Sequence, residues 1–281
     1  MSIQRRGFLK LSATAMAGAL IAQHPDTGLA APSTRSPSGD QFSGINLAGW
    51  DIVVGDAIYA APRVDPVTID DIETVHFPEF SELRANIHLR RIMAHNITFK
   101  KRIADNVFDF VHTFGYKFRL PYMPSTSNPT LNPQTIEGGM GLWDGSDTRL
   151  DYGTGFQWYI NPWGPDAGAI QSWTDIDGGS WAKVGNMPLD TAWHQVRITL
   201  DVRRETTALV IDGTHYLCRF NGTPKPATWG TERAATIAAE IVSLYPGESH
   251  PGALHKAEFK DWFWIWKPYN QRTIFLPTVS R

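Results

Sequence analysis

Between Phe108 and Leu120 the chain alternates with a period of two. Phe108, Phe110, His112, Phe114, Tyr116, Phe118 and Leu120 fall on even positions, and Asp109, Thr113, Gly115, Lys117 and Arg119 on odd ones, with Val111 the exception. That is the period of a half-buried strand and not of a helix. A second alternation sets Val196, Ile198, Leu200 and Val202 against Arg197, Thr199, Asp201 and Arg203. After the polar turn at Arg204 to Thr207, the run Ala208 to Ile211 ends in Asp212-Gly213, a hairpin signal, so Thr214 to Phe220 is expected to return as a strand. In Ala257 to Trp266, Trp262, Trp264 and Trp266 are assigned to one face and Phe259, Phe263 and Ile265 to the other, so both faces are expected to be covered. Shorter strands are expected at Leu83 to Met93, Met140 to Trp143, Gly155 to Ile160, Ala169 to Trp173 and Ala238 to Leu244. The charges of Phe80 to Asp105 also suit a helix.

Turn-forming clusters separate these runs: Pro121 to Pro133, Asp144 to Asp147, Asn161 to Pro165 and Asp177 to Gly179. Many short strands joined by Gly- and Pro-rich connections, with little helical periodicity and no internal repeat, predict two packed antiparallel sheets in one domain over residues 44–281. A chain of 281 residues with 42% hydrophobic and 19% charged content has enough apolar side chains for a large core. With 26 basic and 28 acidic residues its formal charge is -2, so it has no cationic excess for a phosphate backbone or an anionic membrane, and nucleic acid is not an expected partner. The single cysteine, Cys218, rules out an intramolecular disulfide and reads as a small buried hydrophobe.

The N-terminus reads Arg5-Arg6-Gly7-Phe8-Leu9-Lys10, then an uncharged stretch from Leu11 to Gln23, then small residues before Ala30 and Ala31. It resembles a bacterial twin-arginine signal peptide over residues 1–31, with Gln4 where Ser or Thr is more usual. The resemblance implies export to the periplasm or beyond in the folded state. The apolar stretch falls short of the roughly 20 residues a membrane span needs. Residues 32–43, rich in Pro, Ser and Thr, are expected to form a flexible lead-in.

Thr191-Ala192-Trp193-His194-Gln195-Val196, followed by Ala208 to Gly213, resembles a strand pair of concanavalin A-like lectin/glucanase jelly rolls, including laminin G-like domains. His255 to Trp266 resembles the last inner strand of that fold, and Gly139 to Trp143 an earlier core strand. The resemblance implies an all-β, two-sheet antiparallel jelly-roll sandwich with a curved sheet whose concave face and rim loops commonly hold saccharides. It leaves binding and catalysis both open, because the fold hosts both.

The E-x-D-x-x-E strand of the glucanases of this fold is absent, which disfavours their retaining hydrolysis. Jelly-roll alginate lyases carry R-S/T-E-L-R, Q-I/V-H and a closing Y-N-Q. Here Ser81-Glu82-Leu83-Arg84, Gln195-Val196-Arg197 and Tyr269-Asn270-Gln271 occur in that order, with Phe80 in place of the leading Arg and Arg197 in place of the His. Arg84, His112, His194 and Tyr269 are the candidate catalytic groups, by their capacity to neutralise a carboxylate or move a proton. Asp144, Asp147, Asp175 and Asp177 are hard oxygen donors in glycine-rich stretches, so calcium is the expected metal if one is held; turn chemistry is the competing reading. Trp143, Trp163, Trp173, Trp181 and Trp229 are candidate stacking surfaces for sugar rings.

These residues predict an exported, monomeric, lectin-like domain that takes a carbohydrate or another small rigid ligand in a tryptophan-lined cleft. The alternatives are an enzyme on the same fold, either a polysaccharide lyase acting on a uronate-containing glycan or an enzyme of a small secondary metabolite, and a structural or adhesive envelope protein.

Overall fold

The computed structural model describes residues 40–54, 69–85, 95–104, 107–123, 125, 134–143, 152–162, 164–174, 180–222, 234–243 and 255–269. The expected signal peptide and most of the lead-in lie outside them. Sixteen strands are formed among the described residues. The first eight are β1 (Asp40–Gly44), β2 (Asp51–Val54), β3 (Ile72–His76), β4 (Ser81–Ala85), β5 (His95–Ala104), β6 (Phe110–Arg119), β7 (Gln134–Trp143) and β8 (Tyr152–Ile160). The remainder are β9 (Ala169–Thr174), β10 (Ser180–Asn186), β11 (His194–Asp201), β12 (Thr206–Ile211), β13 (Thr214–Tyr216), β14 (Asn221–Gly222), β15 (Ala234–Ser243) and β16 (His255–Pro268).

They make two eight-stranded sheets. Sheet A runs β13-β12-β11-β6-β16-β4-β3, with β1 also paired to β16; sheet B runs β10-β9-β8-β7-β15-β5-β2, with β14 paired to β8. The chain crosses between the sheets, so that β6 pairs with β16 in the middle of one sheet and β7 with β15 in the middle of the other, strands far apart in sequence, while β7 to β10 and β11 to β13 lie side by side in chain order. The fold is an all-β jelly-roll sandwich.

The alternation along β6 has the expected outcome: Phe110, His112, Phe114, Tyr116 and Phe118 are buried, with half-buried residues between them, apart from buried Gly115. Val196, Ile198 and Leu200 of β11 join them, and from sheet B come Ile136, Met140, Phe156, Trp158, Ile237 and Ile241. Fully burying a side chain of this size contributes about 1.5–3 kcal/mol. Tyr116 crosses the interior and donates from its hydroxyl to the Glu137 carbonyl at 3.1 Å. Only glycine fits below it: a Cβ at Gly138 would sit 1.9 Å from that oxygen.

The structure sharpens three of the sequence readings. In β16 the phase changes at a β-bulge between Lys260 and Phe263, where Asp261 takes φ 52°. The extra residue moves Phe259 to the interior alongside Trp262, Trp264 and Trp266, while Phe263 and Ile265 stay half-buried on the outer side. The segment Phe80 to Asp105, which also suited a helix, forms β4 and β5 where it is described. The lead-in is shorter than expected, because Asp40 onward pairs with β16, and Phe42 packs edge-on against Trp266 at 5.0 Å.

The Asp212-Gly213 turn joins β12 to β13 with φ of 49° and 80°, the positive pair that a tight hairpin needs. The returning strand is three residues long, shorter than the Thr214 to Phe220 run expected. Cys218 is buried as expected, and burial pushes its thiol up despite hydrogen bonds with Thr154, Thr207 and Ser172.

Candidate functional site

Sheet B has a polar outer face. Because side chains alternate, Glu137 and Thr135 of β7 point away from the interior that Ile136 fills. The cross-strand register sets Glu240 of β15 opposite Glu137, Glu137 opposite Gln157, Gln157 opposite Gln171, and Gln171 opposite Lys183. One row of polar side chains therefore crosses five strands. It rises from depth toward the β10 edge: Glu240 is 0% exposed, Glu137 1%, Gln157 3% and Gln171 6%, and Lys183 is exposed. Two residues along from Gln171 and Lys183, on the same face, Trp173 and Trp181 stand opposite each other with ring centroids 5.5 Å apart in an edge-on contact.

Within the row, the Glu137 carboxyl is held by neutral donors. Glu137 Oε1 accepts from Thr135 Oγ1 at 2.9 Å and from Gln157 Nε2. Burial pushes the Glu137 carboxyl up, and the facing Glu240 pushes it further, to about 8, with the two hydrogen bonds pulling the other way. At neutral pH Glu137 holds its proton. The same two carboxyls, after burial itself, raise the Tyr116 hydroxyl well above the ordinary tyrosine range. Gln171 Oε1 and Trp181 Nε1 are buried and have no hydrogen-bond partner among the described residues.

On the outer face of sheet A, charge is met by charge. Arg84 bridges Glu73 at 3.2 Å and Glu82 at 2.5 Å, Lys256 reaches Glu82 at 2.5 Å, Arg119 pairs with Glu258, and Lys117 reaches Asp261 at 2.9 Å. Burial raises the Glu82 carboxyl, but Lys256 and Arg84 outweigh it and hold the group below the usual range. Trp193 already has cations over its ring, with Lys260 Nζ 4.3 Å and the Arg119 guanidinium 4.6 Å from the centroid.

The four expected catalytic groups do not come together. Arg84 belongs to the ion-pair network just described. His112 is wholly buried on the inner face of β6, where Trp264 Nε1 donates to its Nδ1 at 3.4 Å. His194 is buried at the start of β11, with Asp212 2.6 Å from Nδ1 and Asp190 3.0 Å from Nε2, beside the rings of Phe118 and Trp158. Tyr269 donates to Asp201 Oδ1 at 2.6 Å and accepts from the Arg203 amide at 2.8 Å. Burial and that carboxylate raise its hydroxyl above the usual tyrosine range, which suits a structural link and not a base.

Of the five expected stacking residues, Trp173 and Trp181 are adjacent on sheet B; Trp143 ends β7 opposite Ala234. Trp163 and Trp229 lie outside the described residues, as do Asp144, Asp147, Asp175 and Asp177. Among the described residues no group of three or more His, Cys, Asp or Glu could hold a metal ion, and no helix is long and apolar enough to cross a membrane.

The row on sheet B escaped the sequence reading, which looked for paired acids spaced along one strand. Here Glu137 and Glu240 lie on separate strands. The available signal was a single Glu inside each of two otherwise apolar or small-residue strands, QTIEGGMGLW and AATIAAEIVS.

No family model matches this sequence, and no curated protein matches it. Among solved structures, an endo-β-galactosidase of Clostridium perfringens that releases GlcNAcα1-4Gal is 10% identical at a TM-score of 0.46, covering 85% of this chain and 64% of its own. A Bauhinia forficata lectin in complex with GalNAc is 8% identical at 0.45, covering 83% and 100%. The alginate lyase AlyA1 of Zobellia galactanivorans is 9% identical at 0.40, covering 74% and 86%. Likenesses this distant leave the function to be read from the residues themselves.

Proposed function

We propose that this protein binds carbohydrate on the outer face of sheet B, with Trp173 and Trp181 supplying flat apolar surface and the row from Gln171 to Glu137 supplying hydrogen bonds to hydroxyls. One observation carries this reading: an aromatic pair and a graded polar row share one face in strict register, which is the combination a sugar ring needs, apolar on its faces and polar at its rim. Among the described residues sheet A offers no equivalent, since the Trp193 ring is occupied by Lys260 and Arg119. The twin-arginine-like N-terminus supports action outside the cytoplasm, as a domain exported already folded.

A second reading, an enzyme acting on the bound glycan, is favoured by Glu137. A carboxyl with its pKa near 8 holds a proton at neutral pH, as a general acid must.

The test is titration of the protein with neutral, amino and uronate oligosaccharides, following tryptophan fluorescence together with reducing ends and the absorbance of unsaturated products. Fluorescence change without product is the expected result. Product formation replaces the binding reading with the enzymatic one, and silence in every channel contradicts both.

A further inference from the structure

We propose that the glycan taken by this face carries an N-acetylated amino sugar, with its acetamido group seated between Gln171 and Trp181. The inference rests on the carbohydrate reading above and names its ligand class. Gln171 and Trp173 of β9 stand opposite Lys183 and Trp181 of β10, so the four side chains form one cross-strand quartet on the outer face. One diagonal of the quartet is open, with Trp173 half-buried and Lys183 exposed. On the other, Gln171 and Trp181 are each only 6% exposed.

The buried diagonal carries two polar atoms of opposite kind. Gln171 Oε1, an acceptor, and Trp181 Nε1, a donor, are both cut off from solvent, and neither has a hydrogen-bond partner among the described residues. A buried polar atom left in this state costs stability, and folded proteins carry few of them. Diagonal neighbours on a sheet lie roughly 7–8 Å apart, too far for the two to bond each other and close enough for one small group to meet both. The complement is a group that donates on one side and accepts on the other.

Span and valence together select an amide. A secondary amide is trans, with N–H and C=O on opposite edges, and with a hydrogen bond at each end it joins partners roughly 7 Å apart. Its N–H donates to Gln171 Oε1, its carbonyl accepts from Trp181 Nε1, and no donor is left over. The acetyl methyl meets the indole pair, whose centroids are 5.5 Å apart. A single hydroxyl joins partners roughly 5.7 Å apart, short of the diagonal. Two vicinal hydroxyls reach across but set further polar groups against the indole rings. An ammonium has three donors and no acceptor, so it leaves Trp181 unmet and stands beside the Lys183 cation.

Calorimetric titration of the full chain at pH 7 tests this, with tetrasaccharides of N-acetylglucosamine, glucosamine and glucose that share one linkage and differ only in the substituent at carbon 2. The N-acetylated tetrasaccharide is expected to bind at least tenfold more tightly than either of the others, and to move the Trp181 indole N–H resonance downfield in the heteronuclear NMR spectrum. Trp181→Phe keeps an aromatic ring and removes the donor, and Gln171→Met keeps the length and removes the acceptor. Each should bring the acetyl-to-hydroxyl affinity ratio toward one. Should both variants fail to fold, the native protein still decides, because an unmoved Trp181 resonance at saturation overturns the proposed seat. The glucose or glucosamine tetrasaccharide binding as well as the N-acetylated one overturns the acetamido seat and leaves the carbohydrate reading standing. No heat from any of the three or from free N-acetylgalactosamine also overturns the seat, and the carbohydrate reading then rests on the wider oligosaccharide titration above, whose silence contradicts it.

Discussion

Glu137 of β7 and Glu240 of β15 face each other across one register position at the centre of sheet B, and Tyr116 anchors the same position from inside through the Glu137 carbonyl. The spot is thus fixed on one side by core packing and poised on the other by two acids.

The two buried acids give stability opposite dependences on pH. The Glu137 pKa is raised on folding from about 4.5 to about 8, so its contribution is fully present below pH 4.5 and is lost as pH rises through 8. The Glu82 pKa is lowered, so its contribution is present above pH 4.5 and is lost as pH falls through its folded value. Urea midpoints measured from pH 3 to pH 9 should therefore pass through a maximum, and Glu137→Gln should flatten the alkaline limb alone.

Gly138→Ala should destabilise the protein by more than ordinary overpacking, which costs about 1–3 kcal/mol, because the added methyl meets the Tyr116 hydroxyl and also the Phe156 ring at 2.9 Å. Tyr116→Phe removes one buried hydrogen bond and should cost about 1 kcal/mol. In the double variant the loss should be smaller than the sum, since the phenylalanine vacates the space the methyl needs. Chemical denaturation of the three variants checks this.

His194→Ala should lower stability by about 2 kcal/mol, because it strips a buried side chain from between Asp190 and Asp212 and from the Phe118 and Trp158 rings. Glycan affinity of the folded variant should stay within twofold of the parent. A large loss of affinity without loss of stability would return His194 to the list of site residues.

The framework was legible where alternation was clean: β6, β11 and the Asp212-Gly213 hairpin follow directly from side-chain period and turn chemistry. The phase of β16 was not, because one residue at Asp261 in a left-handed conformation inverts the parity of everything after it. β7 was only partly visible, since its glycines carry no side-chain signal, and β10 was missed, its lysine and glycine breaking the pattern. Of the proposed site, Trp173 and Trp181 were legible as residue types. Its acids were not, because the pairing of Glu137 with Glu240 is a property of the sheet order, in which a late strand inserts beside an early one.

The central claim is that a glycan lies across β7 to β10. The most direct measurement is hydrogen exchange of backbone amides, with and without a saturating oligosaccharide from the binding panel. Added protection at residues 152–160, 169–174 and 180–186 is the expected result. Protection confined to sheet A, around Trp193 and the Arg119–Glu258 pair, would contradict it.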